Sequence, residues 1–203
     1  MNRICIAVLM TVMICASGCG PSEQEAKKPV AREAIDFTDK LLSVWDKRFK
    51  VSRAAYVRVL IREGADVNAK NKDNEGMTSL LLAIANYGTP IVTLLIEEGA
   101  DVNAKNVYGM TPLMFAAYKS IPEIITPLIE AGADVHAKNQ YDDNTPLHYA
   151  VGSSSPVVVT LLIEAGADVH AKNKEGWTPL LLATIGYTNP EIIKIIEAAG
   201  ANE

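Results

Sequence analysis

Cysteine and histidine are scarce, with three of each in 203 residues. Cys5 and Cys15 fall in an apolar leader and Cys19 at its end, so the part of the chain expected to fold has no pair to oxidise and must rely on packing. Lys and Arg total 19 against 24 Asp and Glu, a formal net charge of −5, and the two signs alternate. With no basic face to neutralise a run of phosphates, nucleic acid is excluded as an expected partner. No glycine loop for phosphate occurs, and Ser153-Ser154-Ser155 lack the pattern of a nucleophile elbow. What is present is 49% apolar and 21% charged, the composition of one soluble domain with a sizeable core.

The first residues form an address. Met1 to Arg3 is a short positive start, Ile4 to Cys15 is apolar, and Ala16-Ser17-Gly18 are small. The 12-residue apolar run is shorter than the roughly 20 residues that a membrane-spanning helix needs. This stretch resembles a bacterial lipoprotein signal ending in the lipobox "ASGC", with Ala16 where Leu is most usual. The resemblance implies a signal peptide over 1–18 and a lipid on Cys19; Gly20 fits delivery to an outer membrane, facing the periplasm. An ordinary signal peptidase would cut the same Gly18–Cys19 bond, which leaves secretion without a lipid as the alternative. Residues 19–34, "CGPSEQEAKKPVAREA", have little to bury and read as a flexible tether.

Residues 35–203 are periodic. "GA" recurs at Gly64, Gly99, Gly132, Gly166 and Gly200 with spacings of 35, 33, 34 and 34. A threonine ladder, Thr78, Thr111, Thr145 and Thr178, keeps the same register. With "TPL" at Thr111, Thr145 and Thr178, "TPLH" complete at Thr145–His148, and "GADVNAKN" or "GADVHAKN" closing repeats, the chain resembles the ankyrin repeat family. The resemblance implies an all-α solenoid of paired short helices with β-turn or hairpin fingers. About five repeats are expected, at approximately 35–70, 71–105, 106–138, 139–172 and 173–203, the first a degenerate N-terminal cap.

The residues give physical reasons for that plan. Each Thr can cap a first helix, with Pro112, Pro146 or Pro179 at the first helical position. Thr89-Pro90, Ser155-Pro156 and Asn189-Pro190 open second helices similarly, and Gly99, Gly132 and Gly166 stand where a left-handed helix stop is wanted. Blocks such as Ile91–Ile96 and Val157–Ile163 are too apolar for lone surface helices and must stack on neighbours. Glu197 replaces the isoleucine that ends this block in other repeats, as expected where no repeat follows. Pro127 inside a second helix predicts a bend. Asp143-Asn144 replace the expected glycine turn, predicting a finger that points differently.

No catalytic residue, metal or cofactor is expected. His148 reads as bonding a neighbouring turn. His136 and His170 sit on repeats that stack roughly 8 to 10 Å apart, whereas zinc needs each ring nitrogen within about 2.1 Å and further ligands. Asp66, Asp101, Asp134 and Asp168 recur with the turn and read as its stabilisers. The family implies binding of a protein partner through fingertips and first helices. The candidate binding residues are Met77, Tyr108, Met110, Tyr118, Tyr141, Asp142 and Trp177, with Val107 beside them, all expected to be exposed. The resulting expectation is a monomeric, envelope-localised lipoprotein that binds an unidentified protein; the alternative is an immunity-type inhibitor of a toxic envelope-targeting enzyme.

Overall fold

The computed structural model describes residues 53–201 apart from 73, 87, 187 and 188. The signal peptide, Cys19, the tether and the start of the N-terminal cap lie outside the described residues. Among these, nine short helices alternate in two rows. The second-helix row holds α1 (Arg53–Arg62), α3 (Thr89–Glu97), α5 (Pro122–Glu130), α7 (Pro156–Glu164) and α9 (Pro190–Ala198). The first-helix row holds α2 (Ser79–Asn86), α4 (Pro112–Tyr118), α6 (Pro146–Gly152) and α8 (Pro179–Ile185). Helices pack along each row and, within a repeat, across the rows, as α4 does with α5 and α6. Two-residue strands β1 (Lys70–Asn71) and β2 (Met77–Thr78) pair antiparallel, Lys70 opposite Thr78, in the first finger.

Local chemistry explains the helix limits. Thr111 is extended at φ −89°, ψ 164°, and its hydroxyl accepts the Met114 N–H at 3.3 Å while Pro112 takes the first helical position. Thr178 does the same for Leu181 at 3.2 Å. The second helices are capped less uniformly: Asn189 accepts the Glu191 N–H at 3.0 Å, but Ser155 makes no capping bond and Gly88, not Thr89, precedes α3. At the other end of α5, Gly132 has φ 90° and donates to Ile129 O at 2.9 Å, while Ala133 donates to Leu128 O at 2.9 Å. This left-handed stop returns the chain toward the fingers.

The core lies between the two rows. Leu113, Ile124, Ile125, Leu128, Leu147, Val158, Val159 and Leu162 are all fully buried and belong to one continuous cluster. Pro127 is half-buried, and α5 continues through it from Pro122 to Glu130, so the expected bend does not interrupt the helix. Proline removes only its own N–H bond, while its carbonyl still accepts Ala131 N–H at 3.1 Å. Glu197 is exposed on α9, as its charge requires. Among the described residues no helix is long and apolar enough to cross a membrane.

Candidate functional site

Three of the fingers are each closed by one buried asparagine. Asn106 Oδ1 accepts the N–H groups of Tyr108 and Met110, both at 3.0 Å; Asn139 Oδ1 accepts Asn144 N–H at 2.7 Å; Asn173 Oδ1 accepts Trp177 N–H at 2.9 Å. Aspartates hold the preceding turns: Asp66, Asp101, Asp134 and Asp168 each accept the N–H two residues on at 2.8 to 2.9 Å. These carboxylates are therefore parts of the frame.

The fingers are then joined to one another. Val107 N–H donates to Glu75 O at 2.9 Å, Gln140 N–H to Tyr108 O at 3.2 Å, and Lys174 N–H to Asp142 O at 2.8 Å. Lysines reinforce this ladder, Lys70 reaching Lys105 O at 2.9 Å, Lys105 reaching Lys138 O at 3.3 Å and Lys138 reaching Lys172 O at 3.0 Å. Asp143, where Gly109 and Gly176 stand in neighbouring fingers, adopts φ 56°. The backbone turn is thus retained without glycine, and the finger keeps its place in the ladder, contrary to the different direction expected from Asp143-Asn144. Aspartate tolerates this left-handed region better than most side chains.

His148 is a structural strut. Its Nδ1 accepts Thr145 N–H at 3.2 Å and lies 2.8 Å from Thr145 Oγ1, and its Nε2, as the protonated nitrogen, donates to Trp177 O at 3.1 Å. The ring is buried, and burial pushes its pKa below the usual histidine value; the Trp177 carbonyl opposes that shift and Lys138 adds to it. A lowered folded-state pKa means that the neutral ring's contribution is full above the unfolded value of about 6.5 and is lost as pH falls below it. Thermal unfolding at pH 7.5 and 5.5 should show a lower melting temperature at the acid value, and His148→Met, which matches Met114 in the preceding repeat, should shrink that difference. An undiminished difference in the variant would assign the effect to other groups.

The predicted binding residues divide. Tyr108, Tyr118, Tyr141 and Trp177 are exposed, Met110 and Asp142 half-buried. Met77 is a correction: it is only 5% exposed, packed with Leu81, Leu82, Ala85 and Phe115, and its Sδ lies 3.8 Å from Asn106 Nδ2. Met77, the residue before Thr78, is thus covered by the next repeat. Asn144, before Thr145, shows the same relation, accepting Asn173 Nδ2 at 3.0 Å.

Two tyrosine pairs bridge the third and fourth repeats. Tyr108 and Tyr141 lie 5.8 Å apart between ring centroids on the fingertips, and Tyr118 and Tyr149 lie 6.4 Å apart, edge to face, on α4 and α6. The Tyr108 hydroxyl donates to Glu75 Oε1 at 2.5 Å, and this bond, ahead of lost hydration and the nearby charge of Glu75, raises its pKa. Burial raises that of Tyr149, and Asp142 contributes through its negative charge. Glu75 and Tyr149 were not among the sequence candidates. Alignment of the repeats would have found Tyr149, since it occupies the same helical place as Phe115 and Leu182.

The exposed apolar surface is one-sided. Of nine large hydrophobic side chains exposed among the described residues, seven lie on fingers or first helices: Val107, Tyr108, Tyr118, Tyr141, Trp177, Leu181 and Ile185. Only Val59 and Val157 lie on the second-helix row. Among the described residues no group of three or more His, Cys, Asp and Glu is placed to hold a metal ion.

No curated protein matches the chain. The family described as "Ankyrin repeats (3 copies)" matches residues 51–139 and, in an overlapping second match, 122–202, well over half of the 203 residues. Such repeats point to a protein–protein interaction module. In register, helix pairing and finger chemistry alike, the chain belongs to the ankyrin repeat family.

Proposed function

We propose that this chain acts by binding another protein through its fingers and first helices, and that it does so in the cell envelope, held by a lipid on Cys19. The observation that carries the binding face is the exposure of Val107, Tyr108, Tyr118 and Tyr141 on the fingers and first helices, since the repeat frame does not require them there. Binding rather than catalysis is favoured because the chemically capable groups serve the frame: both nitrogens of His148 and the four turn aspartates hold backbone groups. The anchor rests on the "ASGC" sequence alone.

A photo-reactive benzoylphenylalanine introduced in place of Tyr108 should give a discrete cross-linked adduct in the envelope, and the same group in place of Val157, exposed on α7, should give none. Adducts from position 157 alone would place the partner on the other row. For the anchor, cells fed labelled fatty acid should label the wild-type protein and not Cys19→Ser. An unlabelled wild-type protein that fractionates as soluble would remove the lipid from this reading.

A further inference from the structure

On the reading of the finger side as a binding face, we infer that it receives an arginine side chain of its protein partner, seated on the Asp142 carboxylate between the pairs Tyr108–Tyr141 and Tyr118–Tyr149. Both pairs bridge the same repeat boundary. Asp142 directly follows Tyr141, a member of the first pair, and its charge reaches Tyr149, a member of the second. It is half-buried, yet among the described residues its carboxylate takes part in no hydrogen bond and no ion pair; only its main-chain carbonyl is used, by Lys174 N–H. The ion pairs found among those residues join Arg58 to Glu97 and Glu98, on the second-helix row.

A carboxylate partly removed from water without a counter-ion favours the arrival of a cation. Neighbouring lysines do not supply it. Lys138 is turned to Lys172 O at 3.0 Å, and Lys174 Nζ donates to both Gln140 O and Tyr141 O at 2.6 Å. The tyrosine faces add attraction of the same sign, because a ring's negative quadrupole favours a cation over it. Arginine fits better than lysine: its planar guanidinium can stack on a ring while forking to a carboxylate, whereas an ammonium is compact and strongly hydrated. Asp143, next in the chain, adds a second carboxylate beside Asp142 and favours a basic over an acidic segment at that finger.

The test uses capped tetra-arginine, tetra-lysine and tetra-glutamate peptides and a tetramer of N-acetylglucosamine, titrated into the mature protein at physiological salt with amide chemical shifts as readout. The arginine peptide should give saturable shifts centred on residues 108, 141, 142 and 149, tighter than the lysine peptide. Asp142→Asn should weaken it by about fivefold or more with an unchanged melting temperature. Glu130→Gln, the same charge change on the second-helix row, should leave it unaltered. Equal binding by Asp142→Asn, shifts confined to the second-helix row, or occupation of the site by the sugar and not by the peptide would each overturn the inference. If the arginine peptide fails while cross-links still form from position 108, arginine recognition falls and the binding face stands; cross-links from 157 alone would remove the face itself.

Discussion

Gly109→Ala should destabilise the domain by about 2–4 kcal/mol, and Gly176→Ala by only about 1 kcal/mol. Both glycines end their turns in the left-handed region, at φ 74° and 79°, so the conformational cost to alanine is nearly the same. They differ in what lies beyond. A Cβ on Gly109 would meet the Gln140 backbone nitrogen at 2.6 Å and that residue's Cβ and Cγ at 3.1 Å, while a Cβ on Gly176 has nothing within 4 Å. The Gln140 backbone cannot retreat freely, since its N–H donates to Tyr108 O in the ladder that joins the fingers. At roughly 2–4 °C per kcal/mol for a domain of this size, the two melting temperatures should be well separated by circular dichroism. Equal losses would mean that the fingers do not approach one another as closely as the ladder requires.

That contrast also marks how far the sequence could be read. The helix pairs were legible because Thr-Pro at Thr111, Thr145 and Thr178, and Gly-Ala at Gly99, Gly132 and Gly166, are local devices printed once per repeat. Their physical meaning does not depend on a distant residue. Met77 was misread as exposed because its burial comes from Asn106 and Phe115, about one repeat later in the chain. Asp143 was read as a break in the pattern, although an aspartate at φ 56° preserves the turn. The lysine-to-carbonyl bonds and the tyrosine pairs were invisible for a similar reason: each joins residues about thirty apart, and which side chains meet is fixed only once the repeats stack. One local substitution carries a visible consequence. Ser79 takes the place of the proline found at Pro112, Pro146 and Pro179, and its fully buried hydroxyl has no hydrogen-bond partner.

Tyr108→Ala combined with Tyr141→Ala should separate function from folding. The two rings lie against each other and solvent, at 38% and 61% exposure, with Tyr108 bonded beyond that only to the exposed Glu75 carboxylate, and neither belongs to the core. Their backbone groups, which the fingers do need, remain: Tyr108 N–H still meets Asn106 Oδ1, and Tyr108 O still accepts Gln140 N–H. Exposed turn residues of this kind usually change stability by under ~0.5 kcal/mol, whereas an aromatic anchor central to an interface costs about 2 kcal/mol or more, roughly thirtyfold in affinity. The decisive measurement is therefore the affinity of the wild-type and doubly substituted domains for the protein cross-linked from position 108, taken beside their unfolding curves. The account predicts superimposable unfolding and an affinity at least about thirtyfold weaker in the variant. A variant that folds normally and binds with wild-type affinity would contradict it.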